Sequence, residues 1–267
     1  MARTAQCNEP DTELSHPRAD LVAIILAAGH GRRLGDSHRG AKVLLEFDGR
    51  SLLERRIRAL EASGVGAVSI TVGHDGAAVR AAVERSAPRL DVRFVENPRY
   101  REGSLLSLLA QREVLESGRG VLVMDGDVLH DRRMIERLLE GPGEAVLLVD
   151  PELEPGDEPV KVCFRGEVIV DFRKRPEHPH DRHGESVGFF RFSPAMAARL
   201  AGRCQALADA GGGMLEYEEA IRELILTGPE RFVATDVGDL PWTEIDFPQD
   251  VVHARDIILP RLRDEGP

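Results

Sequence analysis

Lysine is nearly missing from this chain. Among 267 residues only Lys42, Lys161 and Lys174 are lysine, and the other cationic side chains are arginine. Arginine serves a solvated surface equally well, so the three lysines mark places where a compact ammonium could have a task. Aromatics are scarce too, with one tryptophan and two tyrosines. That scarcity tells against an aromatic cage for a quaternary ammonium, although Trp242, Phe189 and Phe190 could build a partial one. The three cysteines, Cys7, Cys163 and Cys204, show no metal-ligand spacing. Their odd number, with no apolar secretory segment, leads to the expectation of free thiols in a cytoplasmic protein. No apolar run approaches the ~20 residues of a membrane span. The formal charge of −11 excludes nucleic acid or an anionic membrane as the main partner, yet leaves room for a local phosphate pocket.

What the chain does have is a strand opening into glycine. The apolar run Leu21-Val22-Ala23-Ile24-Ile25-Leu26 leads into Ala27-Ala28-Gly29-His30-Gly31-Arg32-Arg33-Leu34, with Lys42 eight residues further on. Glycines let backbone N–H groups close around phosphate oxygens while cations neutralise the remaining charge. A dinucleotide fingerprint would need a third small residue where Leu34 stands. A Walker loop would need a hydroxyl after its lysine, where Val43 stands.

Beyond the loop, strand and helix patterns alternate. Helical spacing covers Ser51 to Leu60, Gly76 to Ser86 and Ser104 to Glu116; strands are expected at Ala67 to Val72, Val92 to Val95 and Val121 to Met124. Alternation of this kind predicts a mostly parallel sheet covered by helices on both faces, with ligands at the C-terminal strand ends. Asp125-Gly126-Asp127 falls at such an end, where a carboxylate can hold a hard cation. The second half reads as strands at Ala145 to Val149, Val160 to Phe164, Glu167 to Val170 and Val187 to Phe192. Helices follow at about Pro194 to Ala210, Leu215 to Leu226 and Pro248 to Arg263. Residues 1–20 are expected to form a flexible tail. Residues 21–267 are expected to form one domain, with about 21–150 as a nucleotide half and 151–267 as an acceptor half. Arg173 to His183 reads as a mobile loop, and His178, His180 and His183 as solvated rather than as a metal-ligand set.

The string from Leu26 to Leu34, completed by Lys42, resembles the signature of the nucleotidyltransferase family, except that Ala41 replaces its usual proline. Trp242-Thr243-Glu244-Ile245-Asp246-Phe247-Pro248-Gln249-Asp250 resembles the family's late motif, and the nearest branch is the small cytidylyltransferases acting on phosphocholine, inositol phosphate or phosphonates. The resemblance implies a Rossmann-like α/β fold of the nucleotide-diphospho-sugar transferase type, a three-layer αβα sandwich. It implies nucleotide contacts at Leu26, Ala27, Ala28, Gly29, Gly31, Arg33, Lys42, Gly103 and Ser104. Metal ligands would be Asp127 and Asp246, holding Mg²⁺. Arg33, Lys42 and Lys161 would be the catalytic cations. Lys161, Lys174, Gly188 and Trp242 would face the acceptor, with Lys174 the rival of Lys161. Asp125 is left without a defined role, and Asp250 reads as a first-turn residue of the last helix. The implied reaction is Mg²⁺-dependent transfer from an NTP, CTP first, to a small phosphate or phosphonate acceptor with release of pyrophosphate. The implied protein is a monomer or homodimer. Sugar-1-phosphate nucleotidyl transfer with another NTP shares every motif. A nucleotide-sugar glycosyltransferase holds only a diphosphate and has no use for Arg33 and Lys42. A sensor without catalysis would not need both aspartates.

Overall fold

The computed structural model describes residues 18, 20–29, 31–37, 40–152 and 158–262. The expected tail, apart from Arg18 and Asp20, and His30 lie outside the described residues. Strand β1 (Leu21–Ala27) feeds the glycine loop, and a short hairpin, β2 (Glu46–Phe47) and β3 (Arg50–Ser51), leads to helix α1 (Leu52–Ala62). The Ser51 hydroxyl starts α1 by accepting from the amide of Glu54, satisfying a donor the helix leaves open. Then come β4 (Ala67–Val72), α2 (Gly76–Ser86), β5 (Asp91–Glu96), α3 (Ser104–Leu109), α4 (Arg112–Leu115), β6 (Gly120–Asp125), β7 (Val128–His130) and α5 (Arg133–Glu140). The second half holds β8 (Ala145–Asp150), β9 (Lys161–Arg165), β10 (Val168–Arg173), β11 (Arg182–Phe192), α6 (Pro194–Asp209), α7 (Glu218–Thr227), β12 (Phe232–Asp236), β13 (Trp242–Glu244) and α8 (Pro248–His253).

A nine-stranded mixed sheet runs β10-β9-β11-β6-β1-β4-β5, with β8 paired to β11 and β12. The β6-β1-β4-β5 block is parallel, while β11 is antiparallel to its neighbours. Side chains of β1 alternate between two cores. Val22 and Ile24 pack with α3, α4, α6 and α7 residues; Ala23, Ile25 and Ala27 pack with those of α1, α2 and α5. A two-residue side-chain period thus builds the expected three layers, helices on both faces.

Two elements depart from their periodicity. The expected helix Ser104 to Glu116 divides into α3 and α4. At the break Gln111 is fully buried, its amide donating to Thr71 Oγ1 (2.9 Å) and accepting from Ser69 Oγ (2.7 Å), which draws the chain toward the sheet. The final helix keeps α geometry only to His253, widens into a π turn over Ala254–Ile258 and tightens into a 3₁₀ turn over Leu259–Arg261. Pro260 has no N–H to continue it.

The expected loop is confined to residues 174–181, since Arg173 ends β10 and Arg182 and His183 begin β11, and it is anchored. Asp171, wholly buried on β10, accepts from the amides of Glu177 and His178, from His178 Nδ1 and from Arg222 Nε at 2.7 Å. Burial opposes ionisation of Asp171, yet these donors hold its carboxyl below the usual carboxylate range.

Candidate active site

The ends of β1 and β6, the β7–β13 ribbon and the start of α7 enclose a cleft of about 400 Å³. Five positions of the glycine loop line it, Leu26, Ala27, Ala28, Gly29 and Gly31, as do Arg33 and Lys42. Gly31 has φ +62°, and a Cβ there would come within 2.6 Å of Lys42 Cγ. Glycine is therefore required both by the backbone and by the passage of the lysine stem.

Strands β7 and β13 explain how distant carboxylates meet. They pair antiparallel, Val128 opposite Glu244, and the Ile245 amide donates to the Asp127 carbonyl at 3.0 Å. Asp127, Glu244 and Asp246 each present an oxygen within 4.8 Å of the others. Along β13 and its exit Thr243 and Ile245 are buried, so Glu244 and Asp246 share the opposite side. That alternation is the signal that marks Glu244, which the motif alone left unassigned.

Lys42 sits between the two aspartates. Its Nζ is 2.5 Å from Asp127 Oδ2 and 2.6 Å from Asp246 Oδ1, and it donates to the Ile245 carbonyl at 3.0 Å. Arg33 reaches the other Asp246 oxygen at 2.7 Å. Burial disfavours the Lys42 ammonium, but the carboxylates outweigh it and hold its pKa above the ordinary lysine value. Burial likewise disfavours ionised Asp246, and the cations outweigh it and pull its carboxyl down. Glu244 gains less relief. Although part of the residue is exposed, desolvation of its carboxyl within the cluster, then the Asp127 and Asp246 charges, push it well up against a smaller opposing pull from Lys42. Three crowded carboxylates, one of them strongly perturbed, form an all-oxygen donor set suited to a hard divalent cation.

Beneath the Asp125–Val128 turn lies Arg56 of α1, 1 % exposed. Its guanidinium donates to the carbonyls of Asp125 and Val128, both at 2.8 Å, and stacks on the Phe189 ring at 4.3 Å. Burial lowers its pKa to about 9. Asp125 itself accepts from the Tyr217 hydroxyl at 2.8 Å. Burial, with Glu218 and Asp127 nearby, pushes the Asp125 carboxyl well up. Gly188 backs it at φ +75°, where β11 shifts register between Ser186 and Phe190; a side chain at Gly188 would collide with the Asp125 carboxylate.

Other expected positions divide. Lys174 lines the cleft, its Nζ 2.9 Å from Glu158, whose second cation is Arg33 at 3.2 Å. Ser104 lines it as well, accepting from the Tyr217 amide and donating to Glu216. Gly103 is not on the wall; its amide donates to the Gly213 carbonyl, and the Leu215 backbone packs where a side chain would begin. Lys161 is also absent from the wall. Its Nζ donates to the Lys174 carbonyl at 3.0 Å, so it braces its rival from behind. Trp242 faces a second cavity of about 530 Å³ on the far side of Glu244 and Asp246, with Nε1 bonded to Asp150 at 2.8 Å. Lys161 alternates with Val160, which lines the cleft, while Trp242 shares its side of β13 with Glu244 and Asp246 but lies beyond the edge of the cleft, in the second cavity that those two carboxylates also line. Asp250 acts as a cap, accepting from the amides of Asp246 and Phe247. His178, His180 and His183 form no metal-holding group with one another; among the described residues that property belongs to Asp127, Glu244 and Asp246. Cys163 and Cys204 are buried free thiols. No helix among the described residues is long and apolar enough to cross a membrane.

A glycine phosphate loop facing a carboxylate cluster at the strand ends of an α/β sheet is the arrangement of a nucleotidyltransferase. Residues 23–213 match the MobA-like NTP transferase domain, and the chain belongs to that family. Among curated relatives, the bifunctional IPC transferase and DIPP synthase of Rubrobacter xylanophilus is 34% identical across 94% of this chain and 54% of its own length. The CMP-5'-(3-aminopropyl)phosphonate synthase of Streptomyces rubellomurinus is 27% identical across 91% of this chain and 40% of its own. The chain thus spans about half the length of the curated relatives it matches. The inositol-1-phosphate CTP transferase of T. maritima shares the fold with a TM-score of 0.68 and 21% identity, covering 86% of this chain and 90% of its own. The CTP:phosphocholine cytidylyltransferase of Streptococcus pneumoniae does so with a TM-score of 0.68 and 19% identity, covering 89% and 98%.

Proposed function

We propose that this chain transfers a cytidylyl group from CTP to a small acceptor bearing a phosphate or phosphonate, releasing pyrophosphate. The observation that carries the reading is Lys42, which joins the glycine loop to the two aspartates within one cleft. The choice of CTP is supported by the relative named for a CMP-phosphonate product, and the acceptor class by that relative's phosphonate.

Asp127, Glu244 and Asp246 would hold Mg²⁺, which when bound supplies positive charge to the reacting phosphates. The residues of the chain do the rest. An acceptor oxygen attacks the α-phosphorus, a new P–O bond forms, and the bond to the β-phosphate breaks as pyrophosphate leaves. A phosphate monoester has its second pKa at about 6, so near neutral pH the nucleophile needs no general base. Backbone amides around Gly29 and Gly31 would receive the triphosphate. Arg33 and Lys42 would leave the aspartates for the β- and γ-phosphates and neutralise the leaving group. Ser104 would stand on the nucleoside side and Lys174 on the acceptor's anion, with Gly188 giving close approach. The two chain halves, about 21–150 and 151–267, would divide nucleotide from acceptor.

The test is a matrix of four NTPs against phosphocholine, aminoethyl- and hydroxyethylphosphonate, inositol 1-phosphate and sugar 1-phosphates, read as pyrophosphate. CTP with a phosphate or phosphonate acceptor is expected to give the strongest signal. Silence throughout would overturn the reading, and preference for a sugar 1-phosphate with another NTP would correct it.

A further inference from the structure

The cleft is more acidic than a site for a triphosphate should be. Eight carboxylates and four cationic side chains line it, and one divalent ion would offset only part of that excess. Most of these carboxylates are answered within the chain: Asp127 and Asp246 by Lys42, Glu158 by Lys174, Asp125 by the Tyr217 hydroxyl. Glu218 is different. Its Oε2 is shut off from solvent and has no hydrogen-bond partner, although the residue lines the cleft. Folded proteins leave few buried polar atoms unpaired, and one on a ligand cleft points to a donor carried by the ligand.

Its neighbours narrow what that donor is. Glu218 opens α7 and lines the same cleft as Lys174. A cation and an unsatisfied carboxyl group lining one cleft complement a zwitterion, anion toward Lys174 and cation toward Glu218. Aromatic rings do not supply a cage. Tyr217 is buried with its hydroxyl committed to Asp125, Tyr100 lies beside Arg101, and Trp242, Phe189 and Phe190 are off the wall. A carboxylate oxygen without rings suits an ammonium that has N–H bonds to give, rather than a quaternary one. A neutral polyol would leave the acidic excess in place.

We propose that the acceptor is a phosphate or phosphonate joined to a protonated primary amine, and that Glu218 is the specificity-determining residue that receives the ammonium. The inference rests on the nucleotidyl-transfer reading. Burial, with Glu216 and Glu244 near, pushes the Glu218 carboxyl up to about 8, so in the empty cleft it is largely protonated near neutral pH, and contact with an ammonium would favour its ionised form.

The experiment compares 2-aminoethylphosphonate, its isostere 2-hydroxyethylphosphonate, phosphocholine and inositol 1-phosphate with CTP, for the wild type and Glu218→Gln, by kcat/KM for pyrophosphate release. The wild type is expected to favour the amine over each of the others by about tenfold or more. In Glu218→Gln the amine-to-hydroxyl ratio should collapse through the KM of the amine, with the KM for CTP unmoved. A purely structural role would lower both acceptors alike and shift Tm. Should Glu218→Gln not fold, Glu218→Asp, which withdraws the carboxylate by one methylene, carries the same expectation. Equal or better use of the hydroxyl compound, phosphocholine or inositol phosphate by the wild type overturns the proposal while leaving nucleotidyl transfer standing. Retention of the amine preference in the variant overturns the role of Glu218. Silence with every acceptor instead removes the reading on which it rests.

Discussion

The Lys42 ammonium lies 2.6 Å from the Asp246 carboxylate, 204 residues away in the chain. It also touches Asp127, so a single cation occupies the pair of carboxylates that a divalent ion would use. Two positive charges cannot share that position, so entry of a metal there would require Lys42 to turn elsewhere. A triphosphate on the glycine loop offers the alternative. Nucleotide and metal should therefore bind cooperatively, each easing the entry of the other.

The first prediction follows for Lys42→Met. Turnover should fall about 10²–10³-fold, as for loss of one charge-stabilising donor. Binding of Mn²⁺ without nucleotide should tighten about fivefold or more, because the competing ammonium is gone. Calorimetry with Mn²⁺ alone decides the point; weaker binding by the variant would refute the competition.

The three carboxylates should differ in their sensitivity to metal. Asp127→Asn and Asp246→Asn should each lower turnover at least about 100-fold. Glu244→Gln should lose less at saturating metal and need a higher Mg²⁺ concentration for half-maximal rate. Metal titrations of pyrophosphate release measure this, and a Glu244→Gln variant with wild-type metal demand would remove Glu244 from the ligand set.

Arg56 holds the Asp125–Val128 turn from below. Arg56→Met leaves two buried carbonyls without their donors and removes the stack on Phe189, a loss of about 3 kcal/mol of stability. Below its melting temperature the variant should show a larger loss in kcat than in the KM for CTP, since the turn carries Asp127. Urea denaturation and steady-state kinetics test both halves of the statement.

His130 makes stability depend on acidity. Burial, helped by the nearby Arg56 charge, pushes its pKa from the ordinary 6.5 down to about 3. Between those values the unfolded chain binds a proton that the folded chain refuses. The contribution is complete above pH 6.5 and is lost as pH falls, by about 1.4 kcal/mol per unit. From pH 6.5 to 5 this group alone removes about 2 kcal/mol. Urea titrations of His130→Gln should show a flatter decline over that interval than the wild type.

The glycine loop, Lys42, Asp127 and Asp246 were legible as local strings, and the cleft brings all of them together. Glu244 was half legible: the motif contained it, but only the pairing of β13 with β7 turns it toward the aspartates. Tyr217, Glu218 and Arg56 gave no signal, since a glutamate at a helix start and an arginine within a helix look like solvated residues. Lys161 and Lys174 lie thirteen residues apart and read alike. The fold sends one to the cleft and uses the other to hold its backbone.

By itself the sequence determined the layers of the fold and the phosphate loop, because side-chain period and glycine spacing act within a few residues of one another. Only the tertiary structure decided which side chains meet. Pairing of β7 with β13 placed Glu244 and Asp246 beside Asp127 and set Trp242 toward a different cavity. The packing of α7 under the sheet left one oxygen of Glu218 buried and unpaired on the cleft wall. Such contacts depend on register and burial between segments more than a hundred residues apart, quantities that no local pattern encodes.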